Sequence, residues 1–382
     1  MKRILAIVLA MLMLLSGMAF AEEPQFDGEI IIGAMSDITG SGAANGMGEA
    51  FAYQMIADEI NAKGGVLGKK LVIQQEDTNG TVEGCVNAIN KLYSDPNVVA
   101  CFGIMYSTQV MGVADIVLQA QRPLMYGGSS PSINELNNPY LFRMRPADDF
   151  VVTIYVDYIK NTLNPTKLGM IYAMDDFGTQ GHNVAKAYCE ANGIEFIADG
   201  YSNGTKDFYS NLLKMQDAGC DAMIWWGHEE ETAILARQRV ELGMEAMPVY
   251  CSSGAGNNIF NELTNASDTN GIYGIAESCD IGNDWDMFVE FKARFEEAYG
   301  EAINNNISGL APAIYVLCDA IERAGTTDAE ALCAALRETR DFKAISGYLT
   351  CDEKQNLNHN AIIYKLDNKQ RVFVELYTAE VE

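Results

Sequence analysis

Residues able to do covalent chemistry are scarce in this chain. His182, His228 and His359 are its three histidines, and none has a nucleophile beside it at motif spacing. No serine occupies a G-x-S-x-G elbow, the strand-to-helix turn that exposes a reactive hydroxyl. The neighbouring carboxylates Asp175-Asp176 and Glu229-Glu230 could divide the roles of general acid and base. In a chain with 52 acidic and 26 basic residues, such pairs read first as solvated surface. The nine cysteines contain no C-x-x-C pair, which together with three histidines argues against a zinc set; most read as small core hydrophobes, with a disulfide left open. Asp280, Asp284 and Asp286 lack the ligand spacing of an EF-hand loop. No catalytic residue, metal or cofactor is expected.

Two short polar loops suit recognition instead. Tyr106-Ser107-Thr108 lies where an apolar strand gives way to a helix, so a hydroxyl and free backbone N–H groups meet at the carboxyl edge of a sheet, where α/β proteins bind ligands. A simpler role for Ser107 or Thr108 is to cap that helix. Gly127-Gly128-Ser129-Ser130-Pro131 follows the next strand at the same edge. Its glycines admit close backbone approach, and its serines offer donors and acceptors to a carboxylate or an ammonium. The glycine-rich run from Gly40 to Gly46 invites a dinucleotide reading, but Asn45 stands where G-x-G-x-x-G needs its third glycine.

The elements that must position these loops follow a repeating strand–helix pattern, the signature of parallel α/β sheets. Strands are expected at 30–32, 71–73, 98–105 and 124–126, with helices at 48–62, 82–93 and 109–119. A second series comprises strands at 168–172, 195–197, 222–226 and 248–251 and helices at 181–192, 208–217 and 230–242. Three further helices are expected at 285–299, 307–324 and 328–338, before a short strand at 348–350 and strands at 361–366 and 372–376. The region 275–282 reads as a return crossing, and without a low-complexity linker the two halves should be joined by several short hinge strands.

Lys2-Arg3, the apolar run from Ile4 to Leu15 and Ala19-Phe20-Ala21 form a secretory leader over 1–21, with cleavage expected after Ala21. The mature protein is then expected to be soluble, in the periplasm or outside the cell. A formal charge of −26 repels phosphate backbones and anionic lipid, so neither nucleic acid nor a membrane surface is an expected partner. The length predicts two domains.

Several stretches carry a family likeness. Gly33-Ala34-Met35-Ser36, the run Asp58 to Gly68, Tyr106-Ser107-Thr108, Tyr140-Leu141-Phe142-Arg143, Asp176-Phe177-Gly178, and Ile345 to Leu349 with Asp352 resemble the leucine/isoleucine/valine-binding proteins, the type I substrate-binding proteins of ABC transporters. The resemblance implies an α/β fold of two doubly wound parallel-sheet lobes joined by three hinge crossovers near 147, 276 and 348. Lobe 1 would comprise 28–147 and 277–347, and lobe 2 148–276 and 348–382.

The same resemblance assigns a site. Ser107, flanked by Tyr106 and Thr108, matches the serine that holds a ligand carboxylate. Gly128 and Ser129, followed by Ser130, match a pair that binds carboxylate and ammonium. Phe177 matches an aromatic of the second lobe, and Trp226 to Glu229 occupies a loop that supplies another. Ser253 stands where the leucine-binding members place a glutamate for the ammonium, and Glu229 could substitute. The implied function is capture of a small polar ligand, a branched-chain-like amino acid, by hinge closure in a monomer that delivers it to a membrane permease. The alternative is a sensor of the same fold that binds an amide, urea or a carboxylate.

Overall fold

The structure, a computed structural model, describes residues 24–40, 42–276 and 285–379. The expected leader, Cys279, Asp280 and Asp284 lie outside the described residues.

β1 (Glu29–Ser36), β2 (Lys70–Asp77), β3 (Val98–Gly103), β4 (Leu124–Tyr126) and β5 (Leu141–Arg143) form an all-parallel sheet in the order β2-β1-β3-β4-β5. Because side chains alternate across a strand, Ile30, Ile32, Ala34, Ala100 and Phe102 enter one core, while Met35, Val98 and Cys101 enter another on the opposite face. Helices Val82–Ser94 and Ser107–Ala120 cover the second face.

The first face is covered by Ala43–Ala62 and by helices from much later in the chain, Asp286–Tyr299, Asn305–Leu310 and Pro312–Ala324. The last of these buries Ala313, Ile314, Val316, Leu317, Ala320 and Ile321, a stripe at helical spacing. Each fully buried isoleucine or leucine there contributes roughly 1.5–3 kcal/mol. The single helix expected over 307–324 is two. Pro312, without an N–H to donate, occupies the first turn of a new helix.

The second sheet has the order β14-β13-β10-β9-β8-β6-β7. β6 (Lys167–Ala173), β7 (Glu195–Tyr201), β8 (Ala222–Trp226), β9 (Val249–Cys251) and β10 (Ile272–Ala276) run parallel. β13 (Asn360–Asp367) and β14 (Gln370–Thr378) extend it as an antiparallel hairpin. Here too alternation divides two cores, with Trp225 on one face and Trp226 on the other.

The chain leaves the first sheet after β5 and enters helix Asp148–Leu163, whose Val151, Val152 and Tyr155 belong to the second body. Ala276 is in a core of the second body, and Trp285 packs against the first core again. The short hairpin of β11 (Phe342–Ala344) and β12 (Gly347–Leu349) is followed by the last crossing, which lies later than the position near 348 read from the sequence. Leu349, Cys351 and Leu357 are still in the first core, Asn356 bridges to Arg143 beside β5, and β13 starts at Asn360.

Candidate ligand-binding cleft

At the end of β3 the backbone turns sharply. Ile104 takes φ 59°, a left-handed conformation that costs a β-branched residue about 1–3 kcal/mol, and its carbonyl accepts the Gly127 N–H at 3.0 Å. This turn delivers Tyr106 to the N-cap of helix Ser107–Ala120. Ser107 is therefore the first helical residue and makes no capping bond. Its hydroxyl oxygen instead accepts the Ser130 N–H at 3.1 Å, joining the two recognition loops. A Cβ on Gly128 would stand 3.0 Å from the Ser107 Cα and 2.9 Å from Ile133 Cδ1, so glycine is what lets the loops approach.

These loops form one wall of a cleft that spans about 490 Å³, the solvent at its mouth included. Tyr106, Ser107, Ser129 and Arg145 line that wall; Phe177, Gly227, His228, Glu229 and Ser253 line the facing one, with Asn306 at the margin. Helices Ser107–Ala120, Asp176–Asn192 and Glu229–Glu241 all begin here, and helix N-termini favour an anionic group. Arg145, only 8 % exposed, adds a cation and spans the cleft, its Nη2 donating to Ser253 Oγ at 3.1 Å.

Of the ten residues proposed from the sequence, Tyr106, Ser107, Ser129, Phe177, Glu229 and Ser253 border the cleft. Thr108 points outward and is exposed. Gly128 and Ser130 lie behind the wall; the Ser130 hydroxyl pairs with Ser132 Oγ at 2.7 Å. Trp226, 1 % exposed, backs Phe177 with ring centroids 5.6 Å apart. The Ser129 hydroxyl donates to the buried Asp148 carboxylate at 3.1 Å.

The facing wall is acidic and aromatic. His228 meets Phe177 and, across the cleft, Tyr106, at centroid distances of 5.5 and 5.2 Å, and its Nε2 lies 2.6 Å from Asp175 Oδ2. Burial alone would lower the His228 pKa, but the hydrogen bond and charge of Asp175, then Glu229 and Glu231, outweigh it and raise it. Asp175 also caps helix Asp176–Asn192, accepting the Gly178 N–H at 2.9 Å. Glu229 Oε1 accepts from Asn257 Nδ2 at 2.9 Å. The Glu229 charge and then burial hold the Tyr106 phenol well above its usual pKa.

Sequence reasoning missed Arg143, Arg145, His228 and Asn306 as site residues. Arg143 is completely buried. Its Nε donates to the Gly128 carbonyl at 2.8 Å, Nη2 to the Ser130 carbonyl at 2.7 Å, and Nη1 to Asn134 Oδ1 at 2.7 Å. An arginine ending a three-residue strand carries no spacing signal; its presence in the Tyr140–Arg143 likeness was the only pointer. Asn306 reaches the site from a helix some two hundred residues from the loops it joins, roughly the length of one domain.

Two α/β sheets facing a polar cleft define a two-lobed ligand-binding protein, and the chain belongs to the periplasmic binding protein family, whose sequence profile matches residues 29–371. A Leu/Ile/Val-binding protein of Rhizobium johnstonii is 27% identical over 370 residues, covering 95% of this chain and 98% of that one. The fold is that of type I periplasmic binding proteins. A leucine-binding protein from Thermotoga maritima superposes with a TM-score of 0.84 at 21% identity, covering 91% of this chain and 99% of that one. A fatty acid ABC transporter substrate-binding protein from Thermomonospora curvata gives 0.80 at 18%, covering 94% and 95%. Eight described cysteines are free and buried, and among the described residues no helix is long and apolar enough to cross a membrane.

Proposed function

We propose that this protein captures an α-amino acid between its lobes outside the cytoplasm and presents it, chemically unchanged, to the membrane permease of an ABC transporter. The observation that carries this reading is the opposition of Ser107 and Glu229 across one cleft. Ser107 Oγ already accepts the Ser130 N–H, which turns its own proton outward toward a ligand carboxylate. The N-terminus of its helix and Arg145 reinforce that anion site. Glu229, on the other lobe, suits the ammonium. Each lobe thus holds one end of a zwitterion, so a bound ligand favours closure by contacts that the open form lacks.

The leader at 1–21, cleaved after Ala21, would place the protein in the periplasm or outside the cell, where it acts as a monomer. Lobe 1 comprises the first sheet and 285–357; lobe 2 comprises 148–276 and the chain from Asn360. The relatives, Leu/Ile/Val-binding proteins among them, make branched-chain amino acids the family precedent.

Calorimetry across the common L-amino acids tests the reading. Ser107→Ala should weaken the best ligand about 10- to 100-fold, the loss of one hydrogen bond to a charged group, while the ligand-free protein stays folded with a melting point lowered by loss of the Ser130 N–H acceptor. Unchanged affinity would overturn the assignment.

A further inference from the structure

Beside the main cleft, sharing Met105, Tyr106 and Asn306 with it as walls, is a second, narrow recess of about 10 Å³, room for roughly one water-sized group. Ser36, Asp37, Asn45 and Glu49 line it. Glu49 is 5 % exposed; its Oε1 accepts from Asn306 Nδ2 at 3.1 Å, and its Oε2 lies 3.5 Å from the Tyr53 hydroxyl. Asp37 accepts the Thr78 hydroxyl.

Burial and then the Asp37 charge push the Glu49 pKa up to about 7. Burial also raises Asp37, against the pull of Thr78 and the Gly80 backbone, with Asp77 and Glu229 adding like charge. Ser36 borders the same recess. It is 3 % exposed, and its Oγ has no partner in hydrogen-bonding geometry, although it stands near enough to Glu49 to favour the ionised carboxyl.

The glycine-rich run that fails as a phosphate turn has a role here. A Cβ on Gly46 would stand 2.3 Å from the Asp37 carbonyl oxygen, and one on Gly42 2.5 Å from Asp37 Oδ2. Glycine at both positions lets the loop close around Asp37 and hold its carboxyl at the recess.

An aliphatic side chain filling this space would strip water from two carboxyls and a hydroxyl and return no hydrogen bond, which is strongly unfavourable. A cation with several N–H donors satisfies all three. We propose that the recess receives the distal end of the amino acid's side chain and that this end is a primary ammonium, a group about the size of a water, its methylene stem lying along Met105 and Tyr106. The inference rests on the amino-acid reading of the main cleft and narrows it to cationic amino acids.

Lysine and norleucine share a four-carbon stem and differ at its end, so they isolate the recess. Calorimetry on the wild-type protein with L-lysine, L-ornithine, L-arginine, L-norleucine and L-leucine should find at least one cationic ligand bound tenfold or more tighter than both apolar ones. Glu49→Gln should reduce that preference at least tenfold, and Asp37→Asn should reduce it in the same direction. Norleucine or leucine binding as tightly as the tightest cationic ligand would overturn the inference and leave the amino-acid reading standing. A preference unchanged in both variants would also overturn it. Binding of no α-amino acid would overturn both readings. The wild-type comparison decides the question even where a variant does not fold.

Discussion

Arg143 Nη1 donates to Asn356 Oδ1 at 2.9 Å, fastening the arginine that holds the Gly128–Ser130 loop to the chain segment that makes the last crossing between lobes. The backbone repeats the link: Arg143 N–H donates to the Gln355 carbonyl and Leu357 N–H to the Arg143 carbonyl, each at 2.8 Å. Asn356 Nδ2 in turn donates to Asp352 Oδ2 at 2.8 Å. The loop facing the ligand and the hinge thus share one buried guanidinium.

Removing that guanidinium strands the Gly128 and Ser130 carbonyls in the interior. Arg143→Met should lower unfolding free energy by about 3 kcal/mol, the usual cost of breaking a buried charged network, and weaken the best ligand at least tenfold at matched folded fraction. Arg143→Lys should recover only part of both, since an ammonium cannot reproduce the planar fork. Urea denaturation and calorimetry measure the two effects, and wild-type values for the methionine variant would contradict this role.

The Asp175–His228 pair makes stability depend on pH in a defined window. His228 is raised above 6.5 in the folded protein, so its contribution is full below about pH 6.5 and is lost as pH rises through the higher folded value. Burial on its own would raise Asp175, but the His228 hydrogen bond and charge outweigh it and hold the carboxyl well below 3.8. Its contribution is present above that pH and lost as pH falls through the depressed value. Asp175→Asn should therefore cost most between about pH 4 and 6.5, about 1–2 kcal/mol, with the difference shrinking by pH 9. Melting curves against pH check it; a penalty that grows toward pH 9 would contradict the pairing.

The thiols should be inert while the protein is folded. Burial pushes the Cys85, Cys101, Cys318 and Cys351 thiols up to about 12, and a protonated, enclosed thiol is a poor nucleophile. With a thiol reagent at pH 8, all eight described cysteines should react only as fast as the protein unfolds. Rapid labelling of any of them in the native state would contradict their burial.

The architecture was largely legible in the sequence because each parallel strand is a short apolar run bounded by turn residues, and each covering helix has its own stripe. The strands at 124–126 and 222–226 have the observed limits. The start of helix Ser107–Ala120 was harder to read because Tyr106, its N-cap residue, carries no capping side chain. The first wall was legible for a similar reason, since Ser107 and Ser129 sit on loops that directly follow strands of one sheet. Arg143, Arg145 and Asn306 were not, because their roles depend on tertiary meetings that no local spacing encodes. Glu229 illustrates the middle case: its place at a helix start was readable, whereas the approach of Tyr106 and His228 from opposite walls was not.

The interleaving of the chain also governs when the protein can fold. The first sheet is complete by Arg143, yet three of the helices that cover one of its faces, beside Ala43–Ala62, lie between Asp286 and Ala324. A nascent chain carrying only the first half covers Ile30, Ile32 and Phe102 with Ala43–Ala62 alone, and that lobe cannot close until most of the polypeptide has been made. Long-range closure of this kind slows folding.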